Sequence, residues 1–305
     1  MSVGKSIRVY LADGTVSGIR HGEVANWTGQ AIACPRRRFA ELKQWDEVRR
    51  PGVYFLYGVD EETGQDQVYI GEAEIVADRL SNHVGNKDFW GEVIAFTSKD
   101  ENLTKGHVRY LESRLVQLAT DAKRDALENT ARPQLPSLPR ADRDAMEEFL
   151  DGVRLLLGVL GHKTLEPLVS AARSGGAVVE GAGVVIPAGS EPLTLASRTL
   201  KARALQTDEG IVVLAGSEAV TEAQPSISAG YRALREKLIA QGILVAADGK
   251  MRFTQDQLFS SPSQAACVVV GHAINGRDAW RTSDGRTLSQ LEAVDMEKLK
   301  EKLGL

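Results

Sequence analysis

The sequence predicts an α+β protein, and three observations carry that reading. Short runs rich in β-branched and aromatic residues recur, as in GVYFLYGV from Gly52 and WGEVIAFTS from Trp90. Stretches of helical spacing separate them, as in Val108, Leu111, Leu115 and Leu118. A passage rich in Gly, Ala and Pro over 174–192 then divides the chain into two sets of elements. A length of 305 residues suits about two domains.

The elements follow in order. IRVYLAD alternates like a strand, Asp13-Gly14 supplies a turn, and SGIRHGEVANW returns as a second strand. GQAIACP adds a third short apolar stretch, and FAELKQWDEVRR reads as a short helix. Residues 1–47 therefore form a small β-rich extension, either a structural flap or a DNA-facing arm that uses Arg36, Arg37 and Arg38. In the block 48–139, GVYFLYGV and QVYIG read as a hairpin across the polar DEETGQD. Ile75, Val76 and Leu80 mark a helix, 90–98 a third strand, and Thr104 caps the helix that carries the apolar stripe. Helix 141–160 is amphipathic and is expected to pack on this block, so 140–192 is a helix followed by the linker. The last block, 193–305, is a second α+β domain. It holds a hairpin at TDEG, a helix over 229–241, a hairpin at Asp248-Gly249, and a helix capped by Ser261-Pro262 and closed by Gly271.

Composition excludes several classes. A net charge of -4 and a pI near 5.8 rule out a uniformly basic nucleic-acid coat. Two cysteines, Cys34 and Cys267, cannot make a disulfide framework or a cysteine-rich zinc site. No apolar run approaches the length of a bilayer span, and MSVGKSIRVYLADG lacks a signal-peptide core. A cytoplasmic protein with no membrane partner is expected.

The second block concentrates unusual polar residues. Tyr54 and Tyr69 lie in two strands expected to pair, and Arg79 and His83 stand four residues apart on one helix face. Glu112 flanks the apolar stripe, where a carboxylate needs a partner, a cation or a site. Gly71 ends a strand shortly before a helix start able to take a phosphate. The structural alternatives are tyrosines filling a core, a solvated Arg79, and an Arg79–Glu112 bridge.

Taken together, the block resembles the GIY-YIG nuclease superfamily over residues 50 to about 135. Gly52-Val53-Tyr54 stands for the first signature and Tyr69-Ile70-Gly71 for the second. Arg79 follows Tyr69 by ten residues, His83 lies four further on, and Glu112 in YLESRL matches the metal-binding glutamate. The resemblance implies a small three-stranded sheet flanked by helices and the hydrolysis of DNA phosphodiesters. It implies that Glu112 holds one divalent ion, Mg²⁺ or Mn²⁺, and that Arg79 neutralises the phosphoryl oxygens. Tyr69 acts as general base, Tyr54 orients it, and His83 assists proton transfer. A phenol titrates near ~10, so Tyr69 needs help from metal-linked water or cations. The pattern departs in two places. Glu72 stands where repair-type members often carry lysine, and Asn129, the counterpart of the family's closing asparagine, precedes Pro133 rather than following a proline.

The last block resembles a C-terminal domain found with restriction-modification proteins, and a modified-DNA reader associated with adenine methylases. The matching residues are Ser261, Pro262, Ser263 and Ala265, then Asn275, Gly276 and Trp280. Helix 229–241 and its hairpin also suit a winged-helix arrangement, with Arg232, Arg235 and Lys237 on a basic side. The structural alternative places Trp280 and helix 262–270 in a core.

The expected function is a metal-dependent DNA endonuclease with a C-terminal targeting domain. The alternatives are a non-cleaving nucleic-acid binder on a nuclease scaffold, and an interaction scaffold whose 141–160 helix packs a partner.

Overall fold

The computed structural model describes residues 4–60, 65–169, 177–178, 185–186, 192–195, 197 and 199–303. Its class is α+β, as the sequence predicts, and it divides into two compact units, Met1–Pro167 and Leu168–Leu305.

The first unit is built on one sheet. Its strands are β1 (Ile7–Leu11), β2 (Arg20–Val24), β3 (Gly29–Pro35), β4 (Gly52–Val59), β5 (Asp66–Ala73), β6 (Trp90–Ser98) and β7 (Ala126–Leu127). Its helices are α1 (Phe39–Leu42), α2 (Val76–Asn86), α3 (Lys105–Ala122) and α4 (Arg140–Val159). The strand order is β1-β2-β3-β6-β4-β5-β7, antiparallel except for the parallel β5–β7 pair. The expected three strands β4, β5 and β6 are thus the centre of a seven-stranded sheet.

The expected N-terminal extension is not set apart. β3 pairs with β6 from Gly29↔Ser98 to Pro35↔Glu92, covering what would otherwise be an open edge. Two of the three arginines considered for a DNA-facing arm are occupied inside this unit. Arg36 lies 4.8 Å from the Trp90 ring centroid and donates to the Asp88 and Val84 carbonyls at 2.9 and 3.0 Å. Arg38 pairs with Glu41 at 2.7 Å and with Asp13.

Both faces of the sheet are covered, which explains the nearly unbroken apolar runs. Val53, Phe55 and Tyr57 point into a core shared with α3 and α4. Tyr54 and Leu56 point into the opposite core with α1 and α2. Helix α4 turns Phe149, Leu150, Val153 and Leu156 inward. Trp27 packs against Phe149, their tilted rings 4.9 Å apart, and fits because residue 152 is glycine: a β-carbon there would lie 2.4 Å from the indole. The buried apolar face of α4 thus packs on its own sheet, as expected of an amphipathic helix there.

After α4 the chain is fastened to the same face. The Tyr57 hydroxyl bonds Thr164 Oγ1 at 2.9 Å, Thr164 donates to Asp125 at 2.6 Å, and the Tyr57 ring stacks 3.6 Å from His162.

Most of the Gly/Ala-rich linker lies outside the described residues, as does 61–64 of the DEETGQD turn. Within the linker, β8 (Ala177–Val178) pairs with β9 (Val185–Ile186). The second unit continues with β10 (Leu193–Leu195), β11 (Arg203–Thr207), β12 (Gly210–Val213), β13 (Glu218–Ala219), α5 (Ala229–Ala240), β14 (Leu244–Ala247), β15 (Lys250–Phe253), β16 (Gln257–Phe259), α6 (Pro262–Val270), α7 (Gly276–Ala279), β17 (Trp280–Arg281) and α8 (Leu288–Leu303). These strands form one sheet ordered β16-β12-β11-β10-β17 and another ordered β13-β15-β14. Helix α6 is buried from Ala265 to Val270, as an apolar helix must be. Asp248 and Gly249, at φ 51° and 74°, make the tight turn between β14 and β15.

The expected basic side of α5 is incomplete. Arg235 is buried and donates to the Val220 and Val268 carbonyls, because its phase on the helix faces α6. Among the described residues no helix is long and apolar enough to cross a membrane.

Candidate active site

The site begins with strand register. Tyr54 pairs with Gly71 and Leu56 with Tyr69, so the two tyrosines are diagonal neighbours on one face, with ring centroids 6.3 Å apart. β5 runs on to Ala73, so Gly71 lies within the strand rather than at a helix start. Its role is steric. A β-carbon on Gly71 would lie 2.3 Å from the Tyr54 hydroxyl oxygen, so the glycine makes room for the buried ring.

Helix α2 crosses this face and presents Arg79 and His83. His83 Nε2 lies 2.7 Å from the Tyr54 hydroxyl, and its ring meets that of Tyr69 edge-on at 5.3 Å. The Arg79 guanidinium interacts electrostatically with both phenols, most with Tyr54. The hydroxyl of Tyr54 and Nε2 of His83 share one hydrogen bond, whose direction follows the imidazole tautomer. Burial, aided by the charge on Tyr69, pushes the Tyr54 phenol far above its ordinary value and keeps it protonated. Burial, then Arg79 and Lys87, holds His83 down at about 4, so it is neutral at pH 7.

Glu112 comes from the flank of α3 and is half-buried. Burial first, then Glu72, raises its carboxyl to about 7, while Arg79 and Arg109 oppose the shift. Glu112 also acts electrostatically on Tyr54. Both Glu112 and Arg79 line an open cleft of about 510 Å³, together with Glu72, Asn82, Lys105 and Arg109. Five of the six predicted residues are therefore brought together: Tyr54, Tyr69, Arg79, His83 and Glu112.

Asn129 stands behind the strand. Its Oδ1 accepts from the Ile70 N–H at 3.0 Å and its Nδ2 donates to the Ile70 carbonyl at 2.8 Å. It extends the parallel β5–β7 ladder by one side-chain pair and fixes the backbone between Tyr69 and Gly71. It positions the site rather than lining the cleft.

Lys87, which no sequence motif singles out, also reaches the phenol pair. Its ammonium lies 4.3 Å from the Tyr69 ring centroid and pairs with Glu128 at 2.7 Å. Its signal was present: 79, 83 and 87 repeat every four residues. Among the described residues no group of three or more His, Cys, Asp or Glu converges as a metal set.

In the second unit the two C-terminal motifs hold each other. The Gly276 N–H donates to Ser263 Oγ at 3.0 Å, and Trp280 Nε1 donates to the Pro262 carbonyl at 3.1 Å. Asn275 Oδ1 caps α7 by accepting from the Arg277 N–H at 3.1 Å. Trp280 is fully buried, so these residues make a core joint.

The chain is thus an α+β protein of two compact units, the first of which carries a polar cleft. Residues 193–292 of that second unit match the family model of a domain of unknown function, DUF4357. No curated protein matches the chain, and no solved structure matches it.

Proposed function

We propose that the protein is a metal-dependent DNA endonuclease of GIY-YIG type, with the DUF4357 unit targeting DNA. The observation that carries the reading is that Arg79 and Glu112 line one cleft while His83, from the helix that bears Arg79, lies 2.7 Å from the hydroxyl of Tyr54, whose ring neighbours that of Tyr69 at 6.3 Å.

Glu112 fits the role of metal holder. Its carboxyl stands at about 7 because burial and Glu72 penalise its charge and the neighbouring guanidiniums offset only part of that. A divalent cation such as Mg²⁺ or Mn²⁺ would relieve the penalty, and oxygen ligands suit both. Bound there, the ion would supply polarisation of the phosphate and stabilisation of the leaving oxygen. Arg79 would neutralise charge growing on the phosphoryl oxygens. Tyr69, at the open side of the phenol pair with the Lys87 ammonium over its ring, would take the proton of the attacking water. Tyr54 stays protonated and would hold His83 through its hydroxyl. Targeting by the second unit rests on the resemblance of its Ser261–Ala265 and Asn275–Trp280 elements to modified-DNA readers.

The test is nicking of supercoiled plasmid, methylated and unmethylated, with Mg²⁺ or Mn²⁺. Arg79→Ala and Glu112→Ala should each lose about 10²-fold or more in rate while keeping the parent's thermal transition. Cutting at the parent's rate by either variant removes the assignment. A second reading, a non-cleaving nucleic-acid binder, is favoured by the position of Glu72, which opposes ionisation of Glu112. It expects salt-dependent DNA binding with no turnover in either metal.

A further inference from the structure

One wall of the cleft is a row on α3. Lys105, Arg109 and Glu112 stand at i, i+4 and i+7, on one helix face, with a rise of about 6 Å between the two cations. Both cations are more than half exposed, at 54% and 60%. Each is met across the cleft by an acid from the end of β5 or just beyond it. Lys105 Nζ lies 2.8 Å from Glu74 Oε2, and Arg109 Nε lies 3.8 Å from Glu72 Oε1. The second separation is too long for a charge-assisted hydrogen bond. Exposed pairs of this kind add little to stability. They are not what joins β5 to α3, because Val68, Ile70, Leu111 and Leu115 already do so as buried core. Their main effect is to cancel charge beside Glu112.

We infer that Lys105 and Arg109 form a track for the phosphate backbone of a DNA strand passing Glu112, and that Glu72 and Glu74 are exchangeable covers that the strand must displace. The inference rests on the nucleic-acid reading of the cleft. A single small anion gains one weak contact and must dislodge a tethered acid. A chain of neighbouring phosphates takes both cations at once and releases counterions as it does so. The covers thus select a polyanion over free phosphate and restrain loose binding in a protein whose net charge is negative.

The experiment measures binding of the full chain to a short fluorescent DNA duplex in EDTA, as a function of salt. Glu72→Gln and Glu74→Gln keep the side-chain shape and should each tighten binding about threefold to fivefold at low salt, with a steeper salt dependence. Lys105→Gln and Arg109→Gln should each weaken binding and lower the salt slope by about one. Equal or weaker binding by the acid variants overturns the inference. So does an unchanged slope in the cation variants, or a parent that shows no salt-dependent binding. Plasmid nicking by the same preparations separates the two claims. Binding shifts without any cutting remove hydrolysis and keep the track. Cutting that depends on Arg79, with unmoved binding in the acid variants, removes the track and keeps hydrolysis.

Discussion

The β-carbon that Gly71 lacks would lie 2.3 Å from the Tyr54 hydroxyl oxygen and 2.5 Å from Tyr54 Cζ. The two residues face each other across the β4–β5 ladder, so neither can move without disturbing the pairing. Gly71→Ala should destabilise the first unit by about 2 kcal/mol and separate Tyr54 from His83. Denaturant midpoints measure the first effect, and loss of nicking measures the second. An alanine variant with parental stability would show that the ring has room to shift.

Glu112 sets a pH dependence of known sign. Its carboxyl is raised from 4.5 to about 7, so the folded chain holds this proton longer than the unfolded chain does. The favourable contribution is complete below about 4.5 and is lost as pH rises through about 7. Glu112→Gln, measured in EDTA, should therefore match the parent at acid pH and exceed it above pH 7. The margin should be about 1 kcal/mol once solvent screening of the half-open site is allowed for. Melting temperatures across this range check it, and a variant less stable than the parent at pH 8 refutes it.

Asn129 predicts a different kind of loss. Asn129→Ala removes both bonds to Ile70 and should cost about 1–3 kcal/mol. Nicking should fall because Tyr69 shifts, while the dependence on Mg²⁺ concentration stays parental. Asn129→Asp keeps the acceptor but sets a carboxylate against the Ile70 carbonyl, so it should be no milder. An unchanged melting temperature in the alanine variant would refute the clamp.

The second unit has its own sensitive glycine. A β-carbon on Gly276 would lie 2.1 Å from both the carbonyl carbon and oxygen of Pro262, atoms held by α6 and by the Trp280 indole. Gly276→Ala should cost at least about 2 kcal/mol. The loss should appear in the calorimetric transition of the DUF4357 unit, with nicking of undirected plasmid retained.

Local pattern made much of this readable. The runs of β4, β5 and β6 and the stripes of α3 and α4 are visible because period and burial coincide along the chain. Tyr54, Tyr69, Arg79, His83 and Glu112 were legible because register and helix phase fix which side chains meet. The pairing of β3 with β6 was not, since more than fifty residues separate the two strands and both faces of each are apolar. Arg235 was placed outside because a helix so mixed in polarity gives no clear phase, and only the carbonyls of Val220 and Val268 reveal where it turns. The Asn129 clamp depends on the two-residue strand β7, too short to announce itself. The Lys105–Glu74 and Arg109–Glu72 pairs join segments whose approach only the fold decides.

The attachment of β3 to β6 bears on how this protein could be trimmed or transplanted. A fragment begun at Pro51 would keep every residue of the polar cluster yet strip seven ladder partners from β6, leaving a long, flat, greasy margin open to self-association. The smallest portable cassette therefore runs from the first strands through the fastening at Thr164, and fusions built on the motif block alone should precipitate rather than report on its chemistry.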